Sequence, residues 1–264
     1  MAVGVQTFTI RKAQKQNPEK AYLPLVQMGI RELEIARIRF HARNAELIRS
    51  LAERYQIRVA AIQVKPGKVA GQTEKIISFC KTTGCRNVVI SMLPFSCILG
   101  REERFYEFLE TLDPLYERYR AQGIELAYHH HNWEYIRLSN GKTRMEELLE
   151  QTSKIKFVHD TYWTTRCGLS SPEQIRQFGN RLLGVHLRDL TLVQKGLKVL
   201  AKDAAVGTGV VDFEAVFQAC AQTGCEYTVI EQKTKHPYEE IARSYQNCMQ
   251  IQGRIGAKRD EGQK

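Results

Sequence analysis

Imidazoles and carboxylates recur at the ends of four apolar runs in the second half of this sequence. The first run ends in His129, His130, His131, Asn132, Trp133 and Glu134, and the second in His159, Asp160, Thr161 and Trp163. The third ends in His186, Arg188 and Asp189, and the fourth in Glu231, Gln232 and Lys233. Nitrogen and oxygen donors without a thiolate are the set that Mn, Co, Mg, Fe or Zn takes in a catalytic, partly open site. Any one of these ends alone reads as a helix cap or a polar strand terminus. Their succession over four consecutive runs points to one bound divalent metal ion. Trp133 and Trp163 read as pocket walls. Arg188 and Lys233 read as cations for substrate oxygens, with outward-facing salt bridges as the alternative, and Asp189 and Asp212 as turn and helix caps.

Such residues converge only if the runs before them are parallel strands of one sheet. Eight short apolar runs recur, at 3–10, 32–37, 59–65, 87–93, 124–131, 156–163, 182–189 and 227–233. Helical patterns lie between them. In 42–55, Ala45, Ile48, Leu51, Ala52 and Tyr55 share one face, and in 237–252 so do Ile241, Tyr245, Cys248 and Ile251. The segment 101–122 is helical in pattern, and Pro114 is expected to kink or split it. Strands alternating with helices give a parallel α/β construction, and eight repeats suit a closed (β/α)8 TIM barrel. Active groups then sit at the C-terminal ends of the strands. The segments 79–91 and 219–231 echo each other, with Gly84 and Gly224 expected as left-handed helix caps. The barrel is expected over 1–252 and a flexible basic tail over 253–264.

The 264 residues, 43% hydrophobic and 26% charged, can bury one full core. No run of about 18 apolar residues suggests a membrane span, and the N-terminus lacks a signal-peptide core. A cytoplasmic protein is therefore expected. The net charge of +10 is spread over helix-like segments, which reads as solvated surface rather than a nucleic-acid footprint. The seven cysteines show no zinc-finger spacing, since Cys80/Cys85 and Cys220/Cys225 are each five apart. Reduced, mostly buried thiols follow.

The motifs GIELAYHHHNWEY (123–135), FVHDTYWTTRCG (157–168), GVHLRDL (184–190), VGTGVVDF (206–213) and VIEQK (229–233) occur in a recognisable order. With them the chain resembles the sugar phosphate isomerase/epimerase family, which has the xylose-isomerase-like barrel. The resemblance implies a single Mn, Co or Mg ion held by Glu, Asp, His and Glu from strands five to eight. Asp160, His186 and Glu231 match the last three, while His129 stands where the first Glu would. Alternation puts His129 and His131 on one face of the strand, so His131 and Glu134 are rivals for that place. The YHHH run is similar to the strand-five motif of the inosose dehydratases.

In the two-glutamate epimerases the carboxylates remove and return a proton on opposite faces of a metal-bound ketone. Here Glu231 remains, and His131, His129 or Glu134 would be its counterpart. The expected activity is a metal-dependent isomerase or epimerase of a sugar or polyol ketone. Dehydration of a keto-inositol or keto-sugar is the alternative, because the same proton abstraction can be followed by loss of hydroxide. An apurinic endonuclease of the same superfamily needs three metals and further histidines, where this chain has Gln63 and Ser91. A non-catalytic sugar-binding barrel is the remaining reading, and it sits poorly with the retained Asp160, His186 and Glu231. A small-molecule substrate is the expected partner; a homo-oligomer is left open.

Overall fold

The computed structural model describes residues 1–261, with side chains through residue 258. Its ten strands are β1 (Val3–Gln6), β2 (Glu32–Ile35), β3 (Arg58–Val64), β4 (Asn87–Ile90), β5 (Glu125–His129), β6 (Lys156–Asp160), β7 (Leu182–Leu187), β8 (Asp189–Lys195), β9 (Lys198–Ala204) and β10 (Tyr227–Ile230). Eight close into a barrel in the order β1-β10-β7-β6-β5-β4-β3-β2, and β8 pairs with β9 in a separate two-stranded sheet. The chain thus forms the (β/α)8 barrel that its alternating runs imply. Each barrel strand falls inside an expected run or within one residue of it. The hairpin of β8 and β9 was not expected.

The residues divide into two compact units, Leu33–Val158 and the remainder, Met1–Glu32 with the chain from His159 onward. In the first, β3, β4 and β5 pair in parallel, with Ile62 beside Val88 and Val88 beside Leu126. Asn87 donates its side-chain amide to the Ala60 carbonyl at 2.8 Å, satisfying a polar group buried between β3 and β4. The helix Ala42–Tyr55 buries Ala45, Ile48 and Leu51, the stripe its three- and four-residue spacing marks. The helix Glu102–Arg120 contains Pro114 without being split. The hydrogen bond Pro114 lacks would go to Glu110, which lies on the exposed side of the helix. Gly84 ends the helix Thr73–Thr83 in the left-handed conformation, at φ 69°.

In the second unit, β1, β10 and β7 pair in parallel, with Val3 beside Thr228 and Val229 beside His186. Gly184 is needed here, because a Cβ would stand 2.4 Å from the Tyr227 ring. Gly224 repeats the left-handed cap of Gly84, at φ 70°. Asp189 accepts backbone N–H bonds from Leu190, Gly207, Gly209 and Val211 at 2.7–3.1 Å. That carboxylate fixes the turn at 206–211. Asp212 caps the helix Phe213–Thr223 through the Ala215 N–H.

The last helix spans Pro237–Glu261. Residues 253–261, expected in a flexible tail over 253–264, are therefore helical, and 262–264 lie outside the described residues. Without an apolar period this stretch still has helix-favouring Arg254, Ala257 and Lys258, and Lys258 pairs with Glu214. Among the described residues no helix is long and apolar enough to cross a membrane.

Candidate metal centre

Asp160 is both the last residue of β6 and the cap of the short helix Thr161–Arg166. Its Oδ1 accepts the Tyr162 and Trp163 N–H groups at 2.9 and 3.1 Å. Its Oδ2 accepts from Arg188 at 3.1 Å. The two oxygens thus face different donors, Oδ1 the helix N-terminus and Oδ2 the Arg188 guanidinium.

His186 and Glu231 come from neighbouring strands. β10 and β7 pair with Val229 beside His186, and the Glu231 N–H continues the ladder to the Leu187 carbonyl at 3.3 Å. Glu231 thus stands one residue beyond β10, and its Oε2 lies 2.9 Å from His186 Nδ1. Burial pushes the Glu231 carboxyl up, but the Arg188 guanidinium and the His186 hydrogen bond outweigh it, holding it well below the usual carboxylate range.

Thr161 joins β6 to β7. The Arg188 N–H donates to its hydroxyl oxygen at 2.9 Å, and the hydroxyl donates to the Arg188 carbonyl at 2.6 Å. The Arg188 guanidinium is buried over the Tyr162 and Trp163 rings, 4.6 and 5.3 Å from their centroids. Burial disfavours its charge, yet Asp160, Glu231 and Asp203 keep it fully protonated. Of the other cation expected near substrate, the Lys233 ammonium lies 5.9 Å from the Trp163 ring and its residue is exposed.

On β5, His129 is buried with Nδ1 3.4 Å from the Ser91 carbonyl oxygen. A proton on Nδ1 directed there leaves the lone pair on Nε2, the tautomer a metal ligand needs. The His131 ring meets His129 edge-on, with centroids 4.9 Å apart, and lies 5.2 Å from the half-buried Trp133. Glu134 is fully buried and accepts from the Tyr128 hydroxyl and, at 2.8 Å, from the His131 N–H. Burial raises its carboxyl against those two bonds.

His129, Asp160, His186 and Glu231, all buried, each offer one ligand atom, and these atoms lie within 4.8 Å of one another. Two imidazoles and two carboxylates are a donor set that fits a divalent ion. His131 and Glu134 fall outside this group. The Arg188 partner Asp203 sits in the exposed strand β9 beside Lys202, where nothing in the sequence marks it.

A family model, the xylose isomerase-like TIM barrel, matches residues 24–250, and the chain belongs to that family. A curated relative, the inosose dehydratase of Geobacillus thermodenitrificans (strain NG80-2), is 26% identical over 149 residues. That alignment covers 52% of this chain and 49% of the relative, so the chain spans about half the length of the curated relative it matches. Among solved structures, a sugar phosphate isomerase/epimerase from Parabacteroides distasonis ATCC 8503 superposes with a TM-score of 0.78 at 15% identity, covering 93% of this chain and 96% of that one. The IOLI protein with a bound zinc atom gives a TM-score of 0.67 at 18% identity, covering 98% and 99%. At these identities the likeness is one of fold.

Proposed function

We propose that the chain is a divalent-metal-dependent isomerase or epimerase acting on a sugar or polyol ketone. The observation that carries this reading is the buried group of His129, Asp160, His186 and Glu231. These four would hold one ion of Mn, Co, Mg, Fe or Zn, which, when bound, polarises a substrate carbonyl and makes the adjacent carbon acid. Glu231 is the base that takes the proton from that carbon, its carboxyl kept ionised by Arg188 and His186. His131, beside His129, is the group that returns a proton, with Glu134 behind it fixing the His131 backbone. Trp133 and Trp163 wall the substrate and Lys233 faces its oxygens, whereas Arg188, buried against Asp160, Glu231 and Asp203, holds the carboxylates in place.

Dehydration of a keto-inositol or keto-sugar is the second reading. It is favoured by the inosose dehydratase relative and by a histidine at position 129. A neutral imidazole in place of a carboxylate leaves the ion a stronger Lewis acid, and His131 can protonate a departing hydroxide. Incubation with a panel of ketoses and inososes in heavy water separates the two. Deuterium in recovered substrate or epimer supports isomerisation, and water loss with a new enone absorbance supports dehydration. No exchange and no turnover across the panel, with metal supplied, would count against both.

A further inference from the structure

The hairpin of β8 and β9 leaves the barrel directly after Arg188, and one of its side chains returns to the site. Asp203 on β9, in register with Leu190, accepts from Arg188 Nη2 at 2.9 Å through Oδ1. The same oxygen accepts the Lys233 N–H at 3.1 Å, just past Glu231. Arg188 Nη1 meanwhile donates to Asp160 and lies 3.8 Å from Glu231 Oε1. The guanidinium is 2% exposed and Asp203 12%, so neither charge is well screened by water.

We propose that Asp203 is a positioning residue of the metal centre, acting through Arg188; this rests on the metal reading above. Three carboxylates, Asp160, Glu231 and Asp203, against one guanidinium leave two negative charges, the balance a divalent ion neutralises. Asp203 also occupies Nη2, so the guanidinium does not turn both of its nitrogens onto Asp160 and Glu231 and compete with the ion. Loss of the Asp203 charge removes one negative charge and weakens the hold on that nitrogen together. Both changes weaken metal binding. The hairpin therefore contributes to the site although it carries none of the four donors.

The test is titration calorimetry of the full chain with Zn²⁺ and Mn²⁺, on the wild type, Asp203→Asn, Asp203→Glu and Lys202→Gln. Asp203→Asn keeps an acceptor for Arg188 but loses the charge, and its Kd should rise about 10–100-fold, the usual effect of losing an outer-shell partner. Asp203→Glu should recover part of that loss. Lys202→Gln changes the hairpin charge on the opposite face, beside Thr191, and should leave Kd unchanged. A purely structural role would lower the melting temperature of Asp203→Asn with Kd within twofold of wild type, and that overturns the proposal. A Kd shift in Lys202→Gln as large as that in Asp203→Asn also overturns it, since any charge on the hairpin would then do. A wild type that takes up neither ion overturns the metal reading and this proposal with it.

Discussion

His186 Nδ1 and Glu231 Oε2 face each other at 2.9 Å across the ends of two paired strands. Both side chains are buried, and each is placed by backbone ladder rather than by loop. As the proposed base, a carboxylate held this way loses little orientational freedom when a substrate arrives. The same contact makes Glu231 sensitive to its charge, since Arg188 is also close.

Glu231→Gln should therefore lower deuterium exchange into a ketose substrate by about 10²–10⁴-fold, the range spanned by loss of a general acid or base. The shape is kept, so the fold should survive. Turnover within a few-fold of wild type would show that the proton is taken by another group.

His129→Gln separates ligand from base. If His129 Nε2 is a donor, Zn²⁺ and Mn²⁺ binding measured by calorimetry should weaken at least as much as the roughly 10–100-fold lost with an outer-shell partner. His131→Gln should leave Kd near wild type while lowering exchange, because His131 lies outside the buried group. The reverse pattern would exchange the roles of the two histidines.

The barrel was legible because each strand is buried on both faces and reads as an apolar run, and because helices such as Ala42–Tyr55 carry one clean stripe. Asp160, His186 and Glu231 were legible because they terminate those runs. The hairpin was not, because Leu192, Val199 and Leu200 are exposed among lysines instead of lining a core. Arg188 was seen only as a substrate cation or a surface charge, yet it is buried among three carboxylates. Two of those, Asp160 and Glu231, lie at strand ends far apart in sequence, and Asp203 lies in the hairpin. No local spacing encodes such a contact. The register of β7 against β10 and the return of the hairpin create it.

That register makes a sharp demand at Gly184. A Cβ added there meets three atoms of the Tyr227 ring at 2.4–2.7 Å, with both strands locked in the ladder. Overpacking of this kind costs about 1–3 kcal/mol, occasionally more. Gly184→Ala should lower the melting temperature by several degrees, at about 2–4 °C per kcal/mol for a chain of this size. Adding Tyr227→Leu should recover part of the loss; if the pair is as unstable as the sum of its members, the clash is not the cause.

The thiols offer a check on the donor set as a whole. Cys167 is half-buried, and the other six cysteines are buried. A hydrogen bond to Cys85, which favours the protonated form, and burial both push the Cys80 thiol up, Cys220 is held in the same way toward Cys225, and burial pushes Cys248 up to about 12. Thiolate is the reactive form, so a native-state thiol titration should show one fast equivalent, lost in Cys167→Ser, and all seven only in denaturant. The candidate metal group contains imidazoles and carboxylates and no cysteine. Blocking that one thiol should leave the Kd for Zn²⁺ unchanged, whereas a Kd that rises on blocking would mean that a thiolate takes part in binding and that the four-residue donor set is incomplete.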